Sequence, residues 1–240
     1  MTRLTVTIDD GGMHEAVNKA AEECMKAGVV HRYSILPTGD GVVSACSLAM
    51  SEGVQISAHL DCCRGPFLHG GSLFPRKASR WFTAARKLAP QVRAEWSCQL
   101  EKLLSLGAMV TCIDSHRHLH HLPPLQDVFL EIAGEYRIGT VRTAVLPDRY
   151  SRFPEGLWLD GLGRRLQRRV AVRGPGTASR MLGFGAAGSV DREYIRKHLA
   201  AIDTGDVELV MHPATERVWS PGQPRELKLM LSEWFRELVK

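Results

Sequence analysis

The residues best equipped for chemistry in this chain lie in the stretch Asp114-Ser115-His116-Arg117-His118-Leu119-His120-His121-Leu122-Pro123-Pro124. Four histidines fall within six positions, in a chain with ten in all. They follow the run Ala108-Met109-Val110-Thr111-Cys112-Ile113, which reads as a short buried strand. The prolines cannot continue a sheet ladder, so the chain must turn there. The imidazoles therefore stand at the C-terminal mouth of a strand, where α/β proteins hold their chemistry. Imidazole is the commonest metal ligand among side chains. Strand alternation puts His116, His118 and His120 on one side while the chain stays extended. A lone histidine would read as a solvated loop; four at one strand exit read as a metal or catalytic centre.

Other strand ends offer matching groups. Leu4-Thr5-Val6-Thr7-Ile8 alternates with period two and ends in Asp9-Asp10-Gly11-Gly12. Neighbouring carboxylates at a strand tip point to different sides, so one can bind a cation while the other acts as a base. An N-cap before a helix at 13–27 would explain one Asp, hardly both. The run Val54 to Asp61 delivers His59 and Asp61 at its exit. Val207-Glu208-Leu209-Val210-Met211 delivers His212-Pro213. Arg142 interrupts the apolar run 140–146; a buried Arg needs an anionic partner, and Asp9 or Asp10 is the natural one. Two imidazoles and a carboxylate with an open position describe a catalytic metal site. Such a metal acidifies water and polarises a carbonyl, a free carboxylate takes the proton, and a histidine opposite serves the leaving group or the oxyanion. The set points to metal-assisted hydrolysis of an amide or ester.

Seven strand patterns must position these groups, nearly all separated by helical patterns at 13–27, 43–50, 81–88, 90–106, 125–136, 190–202 and 224–239. That order predicts parallel pairing in a barrel-like α/β fold. Trp96, Leu100, Leu103 and Leu104 form one predicted buried stripe; Leu227, Leu231, Trp234, Phe235 and Leu238 form another. The loop at 62–80, rich in Gly and Pro, suits a cover over the substrate. The chain has 240 residues, 44% hydrophobic and 24% charged, which fits one globular domain spanning 1–240. No apolar run approaches a membrane span and no signal peptide is evident, so a cytoplasmic address is expected. Six cysteines without a C-x-x-C pair read as reduced core thiols, with one of Cys62 and Cys63 expected to face the site. Net charge is +5, with Arg164, Arg165, Arg168, Arg169, Arg173 and Arg180 clustered. That segment has no assigned role: without interleaved aromatics it is a weak nucleic-acid signal.

The ordered set Asp9-Asp10-Gly11, His59, Asp114-Ser115-His116-x-His118-x-His120, Arg142 and Met211-His212-Pro213 resembles the YdjC-like carbohydrate deacetylase family, which includes chitooligosaccharide deacetylases and a hopanoid-biosynthesis-associated member. The resemblance implies a seven-stranded (β/α) barrel, TIM-barrel-like and of glycoside hydrolase/deacetylase type, a divalent metal ion, and removal of N-acetyl groups from amino sugars. By motif, Asp10, His59 and His116 would bind the metal, zinc or magnesium. Asp9 would be the base, oriented by Arg142, and His212 the acid or oxyanion partner. His118 and His120 would stand behind the metal ligands or face the substrate, with Asp61 beside them. The expected partner is an N-acetylated sugar-type small molecule; a homodimer is the base-rate oligomer. The chain departs from the family pattern where Gly11 replaces Phe and Ala214 replaces Gly, which alters the pocket rather than the reacting groups. One alternative is another metal hydrolase acting on phosphates or esters, with Asp61 or His118 completing a second metal site. Another is a non-catalytic module binding through the arginine segment.

Overall fold

The computed structural model describes residues 2–69, 74–147, 155–173, 176 and 180–240. Seven parallel strands form one sheet in the order β5-β4-β3-β2-β1-β7-β6. These are β1 (Thr2–Gly11), β2 (Arg32–Ile35), β3 (Gln55–Leu60), β4 (Val110–Ser115), β5 (Thr140–Val141), β6 (Arg180–Leu182) and β7 (Gly205–Met211). The helices are α1 (Glu15–Lys26), α2 (Val42–Ser51), α3 (Ala78–Ser105), α4 (Pro123–Glu135), α5 (Glu155–Arg173), α6 (Arg192–Leu199), α7 (Gln223–Met230) and α8 (Glu233–Val239). The sheet curls until its edges meet: Met181 N–H, on β6, donates to the Val145 carbonyl, just past β5, at 2.9 Å. The expected seven-stranded α/β barrel is the fold.

Strand alternation sorts the side chains into two different interiors. One face of each strand meets the helices: Val6, Ile8, Tyr33, Ile35, Ile56, Ala58, Leu60, Ile113, Val207, Leu209 and Met211 join the main apolar core. The other face turns into the barrel, and there most of the residues are polar, Met181 and Val210 being apolar exceptions. Thr7 donates to Glu208, Ser34 and Ser57 donate to Asp114, and Arg32 pairs with Glu208, all buried. Pairing keeps the cost of such a network low, and an unpaired group, as at the buried Arg32 Nε, is expensive. The barrel lumen is thus an ionic core leading up to the strand ends.

Several elements differ from their sequence reading. The two helices expected at 81–88 and 90–106 are one, α3, with Pro90 inside it. Pro removes a backbone hydrogen bond, but Trp81, Ala85, Val92, Trp96, Leu100 and Leu103 lie buried along one face through the break. Leu104, expected in that stripe, is 42% exposed. The helix expected at 224–239 is two, because Ser232 leaves the helix and caps α8 by accepting from Phe235 N–H. Helix α1 is capped by His14, not by Asp9 or Asp10. Regular β5 stops at Val141; residues 142–146 run on outside a strand, tied to the sheet by Arg142 N–H to the Ile113 carbonyl at 3.1 Å and by the Met181–Val145 bond. No described helix is long and apolar enough to cross a membrane.

Candidate active site

The strand tips converge as expected, but the first of them does so by breaking its own alternation. The β1–β2 register shifts between Ile8 and Gly11, and Asp10 adopts φ 62°. This bulge turns the Asp10 carboxylate toward the cavity that Asp9 also lines, whereas regular pleating would send the two apart. Gly39 makes the turn below possible: a Cβ there would stand 2.2 Å from the Gly12 carbonyl oxygen.

Three potential ligand atoms face one another at the cavity floor. Asp10 Oδ1 lies 3.5 Å from His59 Nε2 and 3.1 Å from His116 Nδ1, and the two ring nitrogens are 3.3 Å apart. Ligand atoms of a tetrahedral ion stand roughly 3.3 Å apart, given metal–ligand bonds of about 2.0–2.1 Å. Asp10 Oδ1 is buried without a hydrogen-bond donor. Negative charge is also in excess here: Asp9, Asp10, Asp114 and Glu208 are buried against the guanidiniums of Arg32 and Arg142. Donor types, spacing, orphaned oxygen and charge all fit a divalent cation.

Partners behind the ligands hold them. His59 Nδ1 is hydrogen-bonded to Asp114, and Ser34 and Ser57 hold the other Asp114 oxygen at 2.7 and 2.6 Å. Trp219 Nε1–H donates to Asp10 Oδ2 at 3.0 Å. Burial opposes charge on the His59 ring, but the carboxylates of Asp114, Asp9 and Asp10 prevail and hold its pKa well above the usual range. Burial likewise works to raise Asp10, but His116 and His59 hold it well below the carboxylate range. A second possible ligand group, Asp9, His59 and Asp114, also clusters. Its centre is taken: Arg142 Nη1 lies 2.8 Å from Asp9 Oδ2 and 3.3 Å from Asp114 Oδ1.

Arg142 is 1% exposed and finds the expected partner in Asp9, gripping both carboxylate oxygens, while Glu208 accepts from its Nε and Nη2. His212 lines the same cavity and packs edge-on against Trp219. Its Nδ1 is buried without a hydrogen-bond partner, and burial lowers its pKa. Its backbone N–H is held by Glu226 Oε2 at 2.6 Å.

The histidine cluster does not stay extended. After Ser115 the chain enters a 3-10 turn in which Arg117 and His118 take φ 56° and 55°. Only His116 joins the ligand group, and His118 lines the cavity beside it. His120 is fully buried, stacked on Phe129 and bonded to Ser115 Oγ at 2.6 Å, so it does not face the cavity. His121 Nε2 accepts from Ala144 N–H at 2.8 Å. Burial pushes all three of His118, His120 and His121 toward the neutral form.

Asp61 is turned away from the cavity: its oxygens accept from Cys63 and Arg64 N–H at 2.7 and 3.0 Å, capping the loop after β3. Neither Asp61 nor His118 joins a ligand group among the described residues. Cys62 and Cys63 are both buried in the apolar core and neither faces the site. Of the expected covering loop, residues 70–73 lie outside the described residues. Its described part is pinned to α3, with Leu68 and His69 N–H donating to Glu95. The arginine segment is helix α5 through Arg173; Arg164 pairs with Asp160 and Arg169 with Asp127. Residues 174, 175 and 177–179 of that segment lie outside the described residues.

Asp114, Glu208, Trp219 and Glu226 escaped the sequence reading as site residues. A carboxylate in a buried strand, as at Glu208 and Asp114, was the available signal; Trp219 and Glu226 carry none.

The YdjC-like protein family matches residues 3–240. The chain belongs to this family. It is 29% identical to a carbohydrate deacetylase of Xenopus laevis over 72% of this chain and 64% of that protein. It is 24% identical to a carbohydrate deacetylase of Brevibacillus brevis, covering 99% of this chain and 94% of the relative. The chain thus spans less than two thirds of the frog protein's length, and 50% of a mouse carbohydrate deacetylase's. Among solved structures, a candidate cellobiose-phosphate cleavage protein from Enterococcus faecalis superposes with a TM-score of 0.71 at 22% identity, covering 99% of this chain and 94% of that one. A family 4 carbohydrate esterase from Streptomyces lividans, in complex with acetate, gives a TM-score of 0.50 at 10% identity, covering 99% and 87%. Both likenesses describe the barrel.

Proposed function

We propose that this protein is a metal-dependent hydrolase that removes an N-acetyl group from an amino sugar or sugar conjugate. The observation that carries the reading is the Asp10–His59–His116 triad at 3.1–3.5 Å spacing beside an Arg142-held Asp9. Relatives named carbohydrate deacetylase support the substrate class. Asp10 Oδ1, His59 Nε2 and His116 Nδ1 would hold the ion, with Asp114 orienting His59. At such a site a divalent cation supplies Lewis-acid polarisation of a carbonyl and acidification of water. Two imidazoles favour zinc.

Asp9 takes the proton of the attacking water. Arg142 occupies one lone pair on each Asp9 oxygen, and each oxygen retains another for that proton. The guanidinium also fixes the carboxylate's plane, so the base is aimed before substrate arrives. His212 faces Asp9 and Asp10 across the cavity. Neutral at rest, its imidazole would donate an N–H hydrogen bond to the developing oxyanion, and the proton that Asp9 takes from water is the one the departing amine receives, directly or by way of His212.

Acetate release from N-acetylated amino sugars, with zinc or magnesium added, tests the reading. Metal-dependent release abolished by both Asp9→Asn and His116→Ala is expected. Release that persists in both variants, or a wild type inert on every such substrate, would sink it.

A further inference from the structure

A second cavity, of about 560 Å³, adjoins the catalytic one of about 490 Å³ and shares Arg117, His118 and Phe184 with it. The two differ sharply in chemistry. The catalytic cavity carries carboxylates and imidazoles. The neighbour is walled by Leu119, Leu122, Leu159 and Leu162, with Phe82 and Trp158 at its rim. Phe82 from α3 and Trp158 from α5 are 60% and 66% exposed, yet their rings meet edge to face at 5.8 Å. Large exposed aromatics grouped over an apolar hollow mark a binding surface.

From this juxtaposition we infer that the substrate carries an apolar group, alkyl or aryl, beyond its acetamido sugar, and that the Phe82–Trp158 groove receives it. The inference rests on the deacetylase reading and names the substrate's other half. Two arguments select this occupant. First, the groove and the catalytic cavity share Arg117, His118 and Phe184 as walls, so they are immediate neighbours and one molecule could reach from one to the other. Second, the groove offers few hydrogen bonds. His121 is already engaged through both ring nitrogens, by Ala144 N–H and the His118 carbonyl, which leaves Arg117 and His118 as polar side chains of the lining. A further sugar ring would bring several hydroxyls there without partners, which is costly; an apolar group loses nothing.

The test compares kcat/KM for acetate release from N-acetylglucosamine, its chitobiose dimer and its octyl glycoside, using wild type and the Phe82→Ala/Trp158→Ala variant. Both side chains are exposed and lie outside the catalytic cavity, so the variant is expected to fold and to retain its rate on the free sugar. The octyl glycoside is expected to exceed the free sugar by roughly ten-fold or more, as for methylene groups entering an apolar pocket, and the variant to lose that advantage. Calorimetric binding of octyl glucoside, which has no acetamide, is expected for wild type and not for the variant. If no sugar releases acetate but octyl glucoside still binds through these two residues, the deacetylase reading fails while the groove stands. Equal rates on octyl glycoside and free sugar, a preference for the chitobiose dimer, or a concentration-dependent dimer that the variant abolishes would each overturn the inference.

Discussion

The Arg142 guanidinium grips Asp9 with two parallel hydrogen bonds, Nη1 to Oδ2 and Nη2 to Oδ1, both at 2.8 Å. The pair is buried, so each member depends on the other for charge compensation. Lysine has a point charge in place of this fork. Arg142→Lys is therefore expected to lower kcat by about 10²-fold or more through misaim of Asp9, with KM little changed. Arg142→Leu leaves Asp9, Asp114 and Glu208 short of a cation and should destabilise the fold by about 3–5 kcal/mol. Steady-state kinetics and denaturant titration separate the two effects; a leucine variant as stable as wild type would contradict the buried-network account.

Asp114 acts on the proposed ion through His59. Asp114→Asn keeps hydrogen bonding but loses the charge that orients and polarises the ring. Metal affinity is expected to fall about 10–100-fold, against near-complete loss for His116→Ala. Isothermal titration with zinc reads both. Unchanged affinity in Asp114→Asn would show that the carboxylate serves the barrel lumen only.

Glu226 should make stability depend on pH. Burial pushes its carboxyl up to about 8, against the pull of the backbone N–H groups of Val190 and His212 that it accepts. The folded pKa then lies above the unfolded one, so the folded state holds the proton longer. Stability falls as pH rises from the ordinary carboxylate range through about 8, and the loss is complete above it. Unfolding free energies from pH 5 to 9 should decline more steeply for wild type than for Glu226→Gln. Equal slopes would remove Glu226 from the account.

The bulge at Asp10 depends on a turn with no room for side chains. A Cβ at position 39 would sit 2.2 Å from the Gly12 carbonyl oxygen. Gly39→Ala should cost about 1–3 kcal/mol of stability and weaken metal binding further than that loss of fold explains, because the tip carrying Asp10 must move. Normal metal affinity in the folded fraction would separate the turn from the site.

Much of this protein was legible in order along the chain. The alternation of strand and helix patterns implied a parallel barrel, because parallel strands need crossover helices. Asp9, Asp10, His59, His116, Arg142 and His212 stood out because polar groups at strand ends have no ladder reason to be there. Arg142 in an apolar run demanded a carboxylate, and Asp9 supplies it.

What the tertiary structure alone decided concerns direction. Period-two alternation sends Asp9 and Asp10 apart; the bulge and a left-handed Asp10 bring both to one cavity. The same alternation grouped His116, His118 and His120, yet left-handed backbone at Arg117 and His118 scatters them to ligand group, cavity rim and core. Pro90 reads locally as a helix start, but burial of a continuous apolar face on the barrel carries α3 through it. Local pattern reports what a residue is and roughly where its element ends. Where its side chain points at a bulge or turn depends on contacts made by chain distant in sequence, and those exist only once the barrel has closed.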